Sequence, residues 1–211
     1  MYFNEYVERD PKLKRLIAIV KPLFSAKRFP QHNWEHIARG VKRAISIGET
    51  EGADMEIVVP AIIAHDYGHL FTKMGRRHEK IGGKRLAELL RQLGYSDCQT
   101  ARICHCVETH KPPSVPKTLE AKVVYDADQL ERCGFLGVIW NILATVEYGR
   151  SIKETLRAKN KYIKALKQGR AFLTDTGRKL GIDGYIKFLE FYEEVRKELD
   201  EGKNGVVYIL E

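Results

Sequence analysis

The chain has 211 residues, of which 44% are hydrophobic and 30% charged, enough apolar material for a packed domain and too much for a disordered polar chain. No apolar run approaches the ~20 residues of a bilayer span, and residues 1–14 mix acids with bases, so neither a membrane protein nor a secretory leader is expected. The 36 Lys and Arg outnumber the 28 Asp and Glu, a formal charge of +8 that favours anionic partners, either nucleic acid or phosphorylated metabolites.

The four cysteines make no CxxC pair and fit reduced thiols in a cytoplasm. The predicted elements are all helices. An amphipathic helix is expected over 5–26, and a second after Asn33, a good N-cap, ending near Gly52. Residues 57–64 are continuously apolar; Pro60 would interrupt a central strand, which favours helix, with a kink or a late start at the proline. A fourth helix carries Gly82, Leu86, Leu89, Leu90 and Leu93 and closes at Gly94. The fifth carries Ile103, Cys106 and Val107 and ends before Pro112-Pro113. A sixth covers 120–132, and Gly134 and Gly137 then admit a turn or close packing. Further helices over 139–199 break at Gly149, Gly169 and Gly181–Gly184, and a β-like tail follows over 206–210. The reading is all-α, one domain over 1–211.

All seven histidines lie between His32 and His110. At ~100° per residue, positions three, four and seven apart share a helix face. By that rule His110 continues the stripe of Ile103, Cys106 and Val107, while His105 faces away. Asp128 continues the stripe of Ala121, Val124 and Tyr125, with Asp126 on another side. His78 heads the apolar face that includes Gly82, His65-Asp66 ends the apolar run, and His36 borders the stripe begun by Ile37. Six polar groups entering one core need a common reason, because an unpaired buried carboxylate costs several kcal/mol. A divalent metal held by imidazole and carboxylate supplies it, with Mn, Fe, Zn, Co or Ni suited to such donors and Mg admitted.

The order His36, His65-Asp66, Asp128 resembles the H…HD…D pattern of the HD superfamily of metal-dependent phosphohydrolases. His32-Asn33-Trp34-Glu35-His36 resembles its H-D-x-x-H entry, 61–68 its apolar run ending in HD-x-G, and Asp126-Ala127-Asp128-Gln129-Leu130 its D-A-D-x-L segment. The resemblance covers about 30–138 and implies an HD-type helical bundle, with 139–211 as a C-terminal helical extension. It implies His36, His65, Asp66 and Asp128 on one metal, and His78 and His110 on a second, bridged by Asp66. The chain departs from the pattern at Asn33, where aspartate is common, at His69, where a lysine often follows HD-x-G, and at Glu131, where many relatives have aspartate. Asp66 and His69 are the candidate catalytic pair; His69 reads equally as a ligand or proton shuttle and as a solvent-exposed helix-end histidine. His32 reads as a supporting or phosphate-binding residue. Arg76, Arg77, Lys84 and Arg132 are candidate substrate cations, with Arg76-Arg77 the preferred phosphate clamp.

The implied activity is hydrolysis of a phosphate ester or anhydride, of a nucleotide first of all, by metal-activated hydroxide. Two other classes remain open. Some members of the superfamily are di-iron oxygenases with a similar ligand set, and the positive charge would also suit a nucleic-acid-binding module, which is disfavoured because no helix carries a concentrated basic face. A homo-oligomer is compatible with the sequence.

Overall fold

The computed structural model describes residues 2–25, 31–72 and 77–205, and among these every regular element is a helix. Proline decides the first departure from expectation. The helix expected over 5–26 is two, α1 (Phe3–Arg9) and α2 (Pro11–Ser25). Pro11 disfavours helical backbone at the residue before it, and Asp10 is extended at φ −122°, ψ 100°. Pro11 then opens α2, where its missing N–H is no loss.

Next come α3 (Trp34–Glu51), α4 (Met55–Ala64), a 3-10 turn (Tyr67–Phe71), α5 (His78–Gln92), α6 (Asp97–Thr109) and α7 (Leu119–Gln129). A second 3-10 turn (Leu130–Arg132), α8 (Gly134–Glu147), α9 (Ile152–Lys167) and α10 (Asp175–Gly205) complete the described residues. The caps are those the sequence signals. Asn33 accepts the His36 N–H at 3.0 Å, and Gly52 ends α3 at a left-handed φ of 73°. Asp54 caps α4, which starts at Met55, so the late start expected at Pro60 does not occur and the proline lies inside the helix.

Helix α4 is apolar on every side, the pattern of a helix with no solvent face. Residues 57–64 are all buried, enclosed by α2, α3, α6 and α7. Its C-terminal end therefore stops inside the molecule. The hydrophobic core around it reaches from Leu13 to Tyr185, so helices beyond residue 139 share this apolar interior.

One expectation for the C-terminal third needs correction. Gly149 (φ 57°) and Gly169 (φ 65°) do end helices, but Gly181 and Gly184 lie within α10, which runs unbroken from Asp175 to Gly205. A Cβ on Gly181 would strike Phe172 and Leu130, and one on Gly184 would press on Cys133. These glycines let α10 approach the Leu130–Arg132 turn; they do not break it. The β-like tail expected over 206–210 lies outside the described residues. Among the described residues no helix is long and apolar enough to cross a membrane, and the four cysteines are free thiols.

Candidate metal centre and its cavity

Five helices and one turn deliver polar side chains to the end of α4. His65 still has helical backbone there, and Asp66 follows at φ −93°, ψ 5° in the sparsely allowed bridge region. His36 comes from the first turn of α3, Asp128 from the last turn of α7, His78 from the first residue of α5 and His110 from the C-cap of α6. His69 comes from the 3-10 turn. All seven are buried. The solvent-exposed alternative for His69 is thereby overturned: at 3% exposure it lies among the other imidazoles. The close approach depends on Gly68, because a Cβ there would overlap the His78 carbonyl and the Gly82 N–H of α5.

Four donor atoms converge. His36 Nε2 lies 3.1 Å from His65 Nε2, 3.3 Å from Asp66 Oδ2 and 3.7 Å from Asp128 Oδ1. His65 Nε2 lies 3.2 Å from Asp66 Oδ2 and 3.8 Å from Asp128 Oδ1. Ligands about 2.1 Å from a common ion sit roughly 3.0 Å apart at an octahedron's edge and 3.4 Å at a tetrahedron's, so these spacings suit one ion. The outward ring nitrogens are already committed. His65 Nδ1 donates to the Ile62 carbonyl at 2.7 Å, and His36 Nδ1 faces Glu131 Oε2 at 3.2 Å. Each imidazole thus turns Nε2 toward the centre. Burial pulls both rings down, but Asp66 and the other carboxylates raise them, His36 to about 9, so an entering cation takes the place of the Nε2 protons. Asp66 Oδ2 is buried with no well-formed hydrogen bond, a cost that a cation would relieve.

Charge follows the same geometry. Burial alone would raise both aspartates, but neighbouring imidazoles hold Asp66 well below the usual carboxylate range, and the Arg132 guanidinium does so for Asp128. Arg132 Nη1 donates to Asp128 Oδ2 at 2.9 Å, leaving Oδ1 to the centre. Glu131 is buried beneath Arg39 and Arg43; burial pushes its carboxyl up, and the His36 hydrogen bond with both arginines brings it down to about 2. Asp126 belongs elsewhere: it accepts the Leu173 and Thr174 N–H groups at 2.8 and 2.7 Å and ties down the start of α10.

The other oxygen of Asp66 faces a second group. Oδ1 lies 3.4 Å from His78 Nε2, 3.6 Å from His69 Nε2 and 4.0 Å from His110 Nε2. Burial holds His78 below its usual value and His110 down to about 3, so both are neutral and able to ligate. His110 Nδ1 donates to the Val107 carbonyl at 2.6 Å, the same arrangement as His65. His78 differs. Lys111 Nζ, held by Glu79 at 2.8 Å, stands 3.1 Å from His78 Nδ1. A lysine donating there places the imidazole proton on Nε2, so ligation through Nε2 requires the tautomer to change. The first group is preorganised and the second is not. Beyond it the imidazoles stack: His69 lies 3.8 Å from His78 and 3.9 Å from His32 between ring centroids. His32 is held at Nδ1 by Glu147 Oε1 at 2.6 Å.

A cavity of about 290 Å³ adjoins these rings, with His32 and His78 in its wall. Lys111, Arg132, Arg150, Lys159 and Lys161 also line it, and no Asp or Glu does among the described residues. Of the expected substrate cations only Arg132 is here. Arg77 is exposed at the head of α5 and Lys84 is exposed further along it, so neither lines the cavity; Arg76 lies outside the described residues. Helix geometry explains the error with Lys84: it is six residues beyond His78, some 240° around the helix. Reasoning from sequence missed Lys111, Glu147 and Lys159. Lys159 was within reach of the facing rule, for it lies four residues after buried Thr155 and three before buried Tyr162. It is 4% exposed, with Tyr192 and Phe188 ring centroids 4.9 and 5.5 Å from Nζ, and burial pushes its ammonium down to about 7.

The HD domain family matches this chain over residues 33–133. YpgQ of Bacillus subtilis is 25% identical over 176 residues, spanning 80% of this chain and 84% of its own length. The structure of YpgQ in complex with ADP superposes with a TM-score of 0.66 at 23% identity, over 89% of this chain and 95% of that one. A predicted HD superfamily hydrolase from an uncultured Thermotogales bacterium gives 0.63 at 23% identity, over 94% and 99%. A Lactobacillus plantarum protein gives 0.74 at 16% identity, over 91% and 98%.

Proposed function

We propose that this chain, whose residues 33–133 match the HD domain family, is a metal-dependent phosphohydrolase acting on a phosphate ester or anhydride of a nucleotide. One observation carries the reading: a buried Asp66 turns each carboxylate oxygen to a different set of imidazoles, beside a cavity lined by five cations. His36, His65, Asp66 and Asp128 hold the first ion, and Asp66, His78 and His110 take a second more weakly because Lys111 competes for His78. Bound there, a divalent ion of the Mn, Fe, Co, Ni or Zn class lowers the pKa of water toward neutrality and neutralises charge on phosphoryl oxygens. The chain's own residues do the rest. Arg132 and Glu131 fix the ligands, and Lys111, Arg150, Lys159 and Lys161 receive the anionic substrate. His69 stands beside Asp66 Oδ1, where it adds a third imidazole to the second group, and it stacks on His32.

That YpgQ has been crystallised with ADP and that a structural neighbour carries the name of a hydrolase support a nucleotide and hydrolysis here. The cation-lined cavity favours hydrolysis over the oxygenase alternative, which shares the ligands but needs no such wall. It is also too small for a nucleic-acid duplex. Free thiols fit a cytoplasmic setting, and 1–211 is taken as one HD-type unit. Elemental analysis after incubation with Mn²⁺ is expected to give one to two ions per chain, and the loaded protein to release phosphate or pyrophosphate from a nucleotide panel, with loss on chelation. No metal uptake, or uptake without turnover of any nucleotide, overturns the proposal; iron with oxygen-dependent turnover would replace it.

Lys159 provides a separate check. Its folded pKa of about 7 lies below the unfolded lysine value of 10.5, so its charge opposes folding fully below pH 7, and less as pH rises toward 10.5. Lys159→Met is expected to raise the melting temperature at pH 7 by about 5 °C while weakening sulfate binding by about tenfold or more, both read by calorimetry. Sulfate keeps its charge in this range, so in the unchanged protein its affinity should fall as pH rises through about 7.

A further inference from the structure

Helix α8 is apolar on two faces. Gly137, Val138, Trp140, Asn141 and Ala144 are buried, and Trp140, Asn141 and Ala144 line the cavity. On the other face Phe135 is 83% exposed, Ile139 57%, Ile142 52% and Val146 68%. Their spacing of four, three and four residues is that of a helix–helix seam. Leu136 and Leu143, seven apart, flank the seam and are also exposed. At ~100° per residue the six occupy one arc of about 120°, a stripe as wide as those that amphipathic helices bury. No Asp, Glu, Lys or Arg occurs from 134 to 146, in a chain that is 30% charged.

We propose that this face is where a second copy of the chain docks, α8 against α8 about a two-fold axis. Three observations commit the surface to a copy of itself. The stripe is self-complementary: a short run of apolar side chains at seam spacing matches an antiparallel copy, which is what an isologous interface requires. It has no charge with which to select a charged partner, whereas two chains of formal charge +8 associate best through a surface carrying none. Its area is also sufficient. With aromatic side chains of 150–250 Å² setting the scale, the six side chains expose on the order of 600 Å² per copy. Doubled, that reaches the lower bound of about 1,200 Å² for stable interfaces before backbone and rim are added. A membrane surface fits less well, because an interfacial helix opposes its apolar face with a strongly charged one, while the opposite face of α8 is packed on its own chain. Docking would clamp from outside the same helix whose inner face walls the cavity and whose Glu147 holds His32.

Sedimentation equilibrium on the full chain at about 10 μM is expected to give twice the monomer mass. Ile139→Glu should raise the dimer dissociation constant at least about 100-fold with unchanged far-UV circular dichroism, since two like charges would meet near the axis. Phe135→Ser, at a site too exposed to matter for folding, should raise it about tenfold, and serves alone if Ile139→Glu does not fold. Val115→Glu, an exposed apolar position outside α8, between α6 and α7, should leave it unchanged. A monomeric wild type up to about 100 μM, with or without binding to phosphatidylserine vesicles, overturns the proposal. So does a dimer that survives the α8 substitutions, or one that Val115→Glu weakens as strongly as they do.

Discussion

Asp66→Ala is expected to abolish stoichiometric metal binding and to lower phosphate release from the Mn²⁺-loaded protein by at least about 10³-fold, as measured by elemental analysis and single-turnover assay. The size of the effect follows from position. Oδ2 faces His36 and His65 at 3.3 and 3.2 Å, and Oδ1 faces His78 and His69 at 3.4 and 3.6 Å, so one substitution removes a ligand from both groups. It also removes a buried negative charge from among several imidazoles, which leaves the pocket hostile to any cation. Asp66→Asn keeps the volume and one oxygen and separates the two contributions: metal should fall to below one ion per chain while the helical fold is retained. Retention of both metal content and activity in Asp66→Ala would sink the metal-centre reading.

Gly68→Ala is expected to cost about 3 kcal/mol or more and to lower the melting temperature by about 6–12 °C for a chain of this size. The added methyl would meet backbone of α5 at His78 and Gly82, and backbone cannot rotate away as a side chain can. The start of α5 would have to move, taking His78 away from Asp66. Metal stoichiometry should therefore fall toward the first site alone, even where enough folded protein survives to be assayed. An unchanged melting temperature would mean that the turn and α5 are less tightly apposed than the structure indicates. Gly82→Ala, whose added Cβ meets the Gly68 backbone at 3.0 and 3.3 Å, should show a milder version of both effects.

These residues also show why some features could be read without coordinates. A helix places side chains by a rule that needs no neighbour, so the periodicity of Ala121, Val124 and Tyr125 was enough to turn Asp128 inward and that of Ile103, Cys106 and Val107 to turn His110 inward. Caps are equally local, which is why Asn33 and Gly52 marked their helix ends. The same rule went unused for Lys159, because a lysine on an apolar face is commonly one whose stem is covered and whose head is in water. Gly181 and Gly184 misled for a different reason. A glycine that ends a helix and one that admits a neighbour look alike in sequence, and only the position of Phe172, Leu130 and Cys133 distinguishes them.

By itself, the sequence determined an all-helical chain with His36, His65, Asp66, His78, His110 and Asp128 on inward faces, because these depend on spacing within single helices and on the cost of burying an unpartnered carboxylate. Only the tertiary structure decided which oxygen of Asp66 meets which imidazoles. It likewise decided that Glu131 orients His36, that Lys111 occupies the outer nitrogen of His78, and that α8 brings Trp140 and α9 brings Lys159 and Lys161 to the cavity while Arg77 and Lys84 stand outside it. Those relations join residues as far as 95 positions apart. They follow from how whole helices pack around α4, and local periodicity carries no information about distances between side chains on different helices.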